Sequence, residues 1–221
     1  MLNISDLRLE VLKKQGFSPK MIVDVGAYKG KWTTMVHTIW PNSEYLMVEP
    51  NIKHEGNLAN ISFAKYELAL LGETKKEKVG YYSSQAEHTT GNSIYKEQSE
   101  YSKYFKKIYL PMTTLSEVLK KRDIKKVDLL KIDAQGSEMN IIKGFKEYLK
   151  NTEFIILECQ VLEYSKGAPQ VDEIIETMKN KYKFRVFDVL ELLHLPSGEL
   201  LSIDILFANE KSKFIRRGII V

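Results

Sequence analysis

Short apolar runs recur along this chain, each bounded by glycine, proline or a charged cluster. Residues 21–25, 45–48, 127–132 and 154–160 are compact and rich in Val, Ile and Leu, as strands buried on both faces are. Further strands are predicted near 61–71 and over 78–82. Between them apolar residues recur at helical spacing. Leu7, Val11 and Leu12 predict a helix over 5–15 that Gly16 stops, and residues 31–38 predict another that ends before Pro41. Thr114-Leu115-Ser116-Glu117 reads as a capping box opening a helix to about residue 122. A helix over 137–143 closes at Gly144, and Val171, Ile174, Ile175 and Met178 share one helix face. The runs "KFRVFDVLEL" and "LLSIDILFAN", joined at Pro196-Ser197-Gly198, predict an antiparallel pair.

Alternation of strand and helix from residue 21 to about residue 183 predicts a doubly wound, mostly parallel α/β sheet with helices on both faces. The closing hairpin makes the expected architecture a seven-stranded, Rossmann-like sheet of the class I methyltransferase type. No repeat or Pro/Gly/Ser-rich linker divides the 221 residues, so one domain is expected, with 1–20 as an N-terminal helical segment. Residues 83–107 break the pattern. They are polar, dotted with aromatics and too long for a plain connector, so a partly helical functional loop that meets substrate is expected there.

Composition narrows the partners. The net charge of +4 comes almost wholly from lysine, since arginine occurs only as Arg8, Arg122, Arg185, Arg216 and Arg217. That disfavours nucleic acid, whose phosphates and base edges are met best by guanidinium forks. No run reaches the about 18 apolar residues of a membrane span, and the first residues lack the pattern of a secretory signal. Cys159 is the only cysteine, so no internal disulfide or thiolate metal cluster is expected. A cytoplasmic location follows as the expectation. The tail over 213–221 could cover a second copy of the chain or dock on its own domain.

The chemistry sits at strand ends. In "VDVGAYKG", residues 23–30, a buried strand runs into a turn with two glycines, Gly26 and Gly30, where a pyrophosphate turn needs three. Such a turn brings backbone close to a ligand, and the following helix N-terminus suits a single carboxylate. Asp24 just before it could orient the loop or face a cation. Glu49 ends the next strand at the distance where an acid accepts both ribose hydroxyls of an adenosine. Asp133 ends the strand expected to lie beside the first. Each has an ordinary structural reading too: Glu49 as a solvated strand end, Asp133 as a cap of the turn at Gly136-Ser137. Together, an adenosine clamp, a carboxylate site and a place for a cation describe S-adenosylmethionine better than NAD.

The stretches "VDVGAYKGKWT", "VEPN" and above all "DLLKIDAQGSEMNIIKGF" resemble the FkbM-type methyltransferases. The resemblance covers roughly 20–159. It implies an S-adenosylmethionine-dependent enzyme that methylates hydroxyls of sugars or natural products. It also implies that Gly26, Ala27 and Gly30 line the methionine part of the donor, Glu49 its ribose and Asp133 the transfer site. Pro50, Asn51 and Ala69 complete the expected donor set. Tyr28 stands where the family often has asparagine, and could cover the donor or touch the acceptor; Ala134 replaces a β-branched residue.

For O-methylation the protein must align an acceptor oxygen and remove its proton. Asp133 is the first candidate as base or orienter, with Glu158 able to assist, and His88 in "AEHTTGNSIYKE" is a second candidate base. Asn92 and Ser93 are candidates for holding the acceptor, a small hydroxylated molecule. His37, His54, His88 and His194 show no ligand spacing, so no metal is expected. Two other readings share the fold: an NAD-dependent oxidoreductase, and a donor-binding scaffold without turnover.

Overall fold

The structure, a computed structural model, describes residues 4–84 and 91–215. In chain order its strands are β1 (Met21–Val25), β2 (Glu44–Glu49), β3 (Lys65–Leu68), β4 (Leu70–Leu71), β5 (Lys76–Ser84), β6 (Phe105–Thr113), β7 (Leu129–Ile132), β8 (Phe154–Gln160), β9 (Phe184–His194) and β10 (Leu200–Asn209). The helices are α1 (Ile4–Lys14), α2 (Lys31–Ile39), α3 (Glu55–Ala59), α4 (Leu115–Lys121), α5 (Glu138–Gly144), α6 (Lys146–Leu149) and α7 (Val171–Asn180). The main sheet has seven strands in the order β3-β2-β1-β7-β8-β10-β9. Its first five are parallel, and β10 runs antiparallel to both β8 and β9.

Burial on both faces explains the apolar runs. Leu9 and Leu12 of α1 and Val36 and Ile39 of α2 cover one face, with Phe154 fully buried edge-on to Phe17 at 4.8 Å. Leu115, Leu119, Ile142 and Met178 from the helices between 115 and 180 cover the other. Capping follows side-chain chemistry: Thr114 Oγ1 accepts the Glu117 amide at the start of α4, and Gln170 with Glu173 forms a capping box on α7. In the tail, Phe214 and Ile215 pack on the cluster around Phe17.

Two expectations need correction. The predicted strand near 61–71 is divided: Lys65–Leu68 pairs with β2, whereas Leu70 and Leu71 pair with β6 in a second sheet of order β4-β6-β5. Regular βα alternation therefore stops between β3 and β7. The second concerns the bounds of the partly helical stretch expected over 83–107. Its ends belong to the antiparallel β5 and β6, and Glu100–Tyr104 forms a 3-10 helix capped by Ser99.

Register sets up the site. Val48, Val25, Ile132 and Leu157 lie abreast across β2, β1, β7 and β8. The next residue on each strand is Glu49, Gly26, Asp133 and Glu158, and Glu158 pairs with Asp204 of β10. Order reverses between β1 and β7, so this polar row crosses the switch point, where open α/β sheets bind ligands.

Candidate active site

Two positions further back, Asp24 of β1 and Lys131 of β7 are register partners inside otherwise apolar strands. Both are buried, Asp24 at 1% exposure and Lys131 at 5%. Lys131 Nζ lies 2.9 Å from Asp133 Oδ2, because residues two apart on a strand share a face. Burial alone would pull the lysine pKa down, yet Asp133, Asp24 and Asp204 hold it above the ordinary value. Asp24 Oδ2 accepts the Thr33 hydroxyl at 2.7 Å, while its Oδ1 is buried without a hydrogen-bond partner. Burial raises the Asp24 pKa against the pull of Lys131.

The turn after β1 uses left-handed backbone three times, at Gly26 (φ 77°), Tyr28 (φ 52°) and Gly30 (φ 73°). A Cβ on Gly26 would stand 1.8 Å from the Asp133 carbonyl oxygen, so only glycine lets β1 and β7 close at this point. A Cβ on Gly30 would meet Ile61 at 2.2 Å. This glycine lets α2 start tight against β2 and α3, and it does not stand among the cavity-lining residues. The turn amides are spent within the fold. Those of Gly26 and Ala27 donate to Val48, that of Gly30 to Ala27, and that of Tyr28 to Glu49 Oε2 at 2.9 Å. Tyr28 pays for this geometry with a conformation rare for an aromatic residue, and its ring meets His54 edge-on at 4.3 Å.

Glu49 is 5% exposed and takes a second amide, that of Asn51, on Oε1 at 2.9 Å. Burial lifts its pKa to about 7 despite both hydrogen bonds. Asn51 is not on the cavity wall. Its side chain caps the next turn by accepting the Lys53 amide, so it shapes the Glu49 carboxylate from behind.

Across the crevice, Gln135 (φ 51°) donates from Nε2 to Asp133 Oδ1 at 2.9 Å and to Glu158 Oε2 at 2.7 Å. One amide therefore joins two carboxyl groups of opposite character. Asp133 is half-buried, and although desolvation pushes its pKa up, Lys131 holds it below the usual carboxylate range. Glu158 is driven well above it by burial and by the charges of Asp133, Glu138 and Asp204. Ser202 Oγ donates to its Oε1 at 3.2 Å. Glu138 accepts the amides of Ala134 (2.9 Å) and Gly136 (3.1 Å), which fixes the turn that presents Gln135. Burial raises the Glu138 pKa to about 7. Glu138, rather than the alternative Asp133, thus caps this turn.

A cavity of about 300 Å³ opens over this row. Its lining includes Asp24, Gly26, Ala27, Tyr28, Glu49 and Pro50, together with Ala69, Asn92, Ser93, Asp133 and Glu158. Those expected residues are brought together. Asn92 and Ser93 reach the wall, but their side chains hold the loop: Asn92 Oδ1 accepts the Ser84 amide, and Ser93 Oγ donates to the Gln135 carbonyl. His88 lies outside the described residues. Among the described residues, no group of three or more His, Cys, Asp or Glu side chains could hold a metal ion.

The chain matches the methyltransferase FkbM domain model over residues 24–186. It belongs to the FkbM methyltransferase family. Solved structures agree in fold at low identity. The methyltransferase FkbM from Methylobacillus flagellatus KT aligns at a TM-score of 0.55 and 13% identity, over 86% of this chain and 43% of that one. This chain thus spans less than half of that protein. The O-methyltransferase TomG of Streptomyces achromogenes, involved in tomaymycin synthesis and solved with S-adenosylmethionine, aligns at 0.52 and 11% identity, over 93% and 79%. M. capricolum TrmK, solved with S-adenosylhomocysteine, aligns at 0.53 and 9%, over 98% and 73%. Comparison with curated protein sequences returns no match.

Within this FkbM domain, sequence reasoning assigned no role to Lys131, Gln135 or Glu138, although all three stand in its most diagnostic segment. The available signal was a lone lysine in the buried strand "LLKI". A buried lysine needs a paired carboxylate, and the alternation of the strand supplies one at 133.

Proposed function

We propose that this FkbM domain transfers a methyl group from S-adenosylmethionine to a hydroxyl of a small sugar-like or natural-product acceptor. The carrying observation is the charge and shape of the cavity at the switch point. Asp24, Glu49, Asp133 and Glu158 line it against two cations, Lys31 and Lys131. Carboxyl groups on four strand ends, with Asp133 held ionised, suit a ligand that brings hydroxyls and a positive charge, and for a pyrophosphate the turn offers no amides from Gly26, Ala27, Tyr28 or Gly30. NAD is the poorer fit.

The residues fit the donor. Asp24 keeps an unpartnered carboxylate oxygen in the floor, an excess acceptor that a cationic ligand relieves. Glu49, aligned by two amides, has lone pairs left for the two ribose hydroxyls, and Lys31 with the start of α2 suits the donor carboxylate. When bound, S-adenosylmethionine supplies a methyl on a sulfonium, whose sulfur recovers the bonding pair as the acceptor oxygen is methylated. The chain's tasks are alignment and proton removal. Asp133, held ionised by Lys131, serves as the fixed charge that orients, and Glu158, with its raised proton affinity, takes the hydroxyl proton.

Titration calorimetry tests this donor reading. S-adenosylhomocysteine should bind and NADH should not. Binding of NADH instead would refute it.

A further inference from the structure

A second cavity, of about 750 Å³, lies on the far side of Gln135 and Glu158, and these two residues line both cavities. It is a constructed space. The segment after Gly91 is stitched to the segment after β8: the Gln98 amide donates to Tyr164 at 2.8 Å, the Lys166 amide to Lys96 at 3.0 Å, and Glu97 bridges to Ser165. Gln98 Nε2 adds a bond to the Glu163 carbonyl at 2.7 Å. The third wall is the closing hairpin, which contributes Leu193, Leu195 and Leu201.

We propose that this second cavity is the acceptor site, and that it admits a hydroxylated molecule with an aromatic or apolar face and no negative charge. The inference rests on the donor reading above and deepens it. Its lining divides into two kinds. Tyr101, Phe105 and Tyr164 with the leucines offer ring faces and aliphatic surface, which stack on the apolar face of a sugar or an aromatic group. The charged residues are Glu97, Glu158 and Glu163, and no lysine or arginine stands among the described lining residues. A phosphate or carboxylate would face the Glu97 and Glu163 carboxylates without a counter-charge, whereas an amino group or neutral hydroxyls would be accepted. Because Glu158 belongs to both spaces, a hydroxyl at the shared wall meets the proton acceptor on its way to the methyl. The oxygen gains the C–O bond as the S–C bond breaks, its proton passes to Glu158, and the S–C electron pair stays on sulfur.

The test uses matched probes: phenyl β-glucoside, phenyl β-glucosaminide and phenyl β-glucoside 6-phosphate. Methyl transfer from labelled S-adenosylmethionine should favour the first two over the phosphate by at least about tenfold in kcat/KM. Glu97→Lys with Glu163→Lys should shrink that preference by about tenfold, with S-adenosylhomocysteine affinity kept within about twofold. Glu97→Gln with Glu163→Gln, which should shrink it in the same direction, serves if the lysine pair does not fold. A crystal soaked with S-adenosylhomocysteine and phenyl β-glucosaminide should show the sugar between Tyr164 and the hairpin leucines, with a hydroxyl at Glu158. Equal use of the phosphate, an unmoved preference, transfer to none of the probes, or the sugar bound elsewhere would overturn the acceptor assignment while the donor site stands. Failure of S-adenosylhomocysteine to bind the wild type would overturn the donor reading, and this inference with it.

Discussion

Replacing Glu49 by glutamine keeps the side chain's size and removes its charge. In the folded protein Glu49 holds its proton up to about pH 7, compared with an ordinary value of 4.5. A raised carboxyl pKa means that the folded state binds more protons than the unfolded state between these values, so its contribution to stability is lost as pH rises. Integrating that difference from pH 5 to pH 8 gives about 2.5 kcal/mol of destabilisation at the higher pH. The glutamine variant lacks this loss, and every other titrating group is common to both proteins. Urea unfolding at pH 5 and pH 8 should therefore show the stability of Glu49→Gln, relative to wild type, increasing by about 2 kcal/mol or more. The same variant offers one carbonyl oxygen where two carboxylate oxygens now accept the Tyr28 and Asn51 amides. Its affinity for S-adenosylhomocysteine at pH 8 should fall by about tenfold or more. A pH-independent stability difference would show that Glu49 ionises without cost in the folded protein, and the reasoning from its burial would be wrong.

Other positions give distinct outcomes. Gly26→Ala forces a Cβ against the Asp133 carbonyl at a positive φ and should cost about 3 kcal/mol or more, read as a lowered urea midpoint. Lys131→Met leaves Asp24, Asp133 and Asp204 without their buried cation, and should destabilise by about 3–5 kcal/mol at pH 8 but by less at pH 4, where the acids take up protons. In the wild type, kcat should fall as pH is lowered through a limb that lies above the ordinary carboxylate range, because Glu158 must be ionised to accept a proton. Glu158→Gln should remove that limb and lower kcat by about a hundredfold, with donor-product affinity kept.

Most of the sheet was legible because its parallel strands are buried on both faces, which forces unbroken apolar runs such as "MIVDV" and "FIILECQ". The closing hairpin was legible for a different reason: Pro196-Ser197-Gly198 marks its turn. The second sheet was legible only in part. The strand expected over 78–82 lies within β5, but β6 is mostly exposed and lysine-interrupted, and β4 is only two residues long. At the site, Glu49 and Asp133 could be found because each ends a predictable strand. The opposite pKa shifts of Asp133 and Glu158 could not be, since they depend on Lys131 and Gln135, whose partners are set by register and by a left-handed backbone at 135. The packing role of Gly30 was hidden for a related reason. A glycine in a ligand-binding turn and a glycine in a helix–sheet contact look alike in sequence, and only the neighbours Ile61 and Met47 separate them.

The most direct measurement is a crystal structure with S-adenosylhomocysteine. Density for the nucleoside should fill the cavity above Gly26, with both ribose hydroxyls on the Glu49 carboxylate and the sulfur on the Asp133 and Glu158 side. Adenosine bound away from Glu49, or no density in that cavity at saturating ligand, would contradict the account.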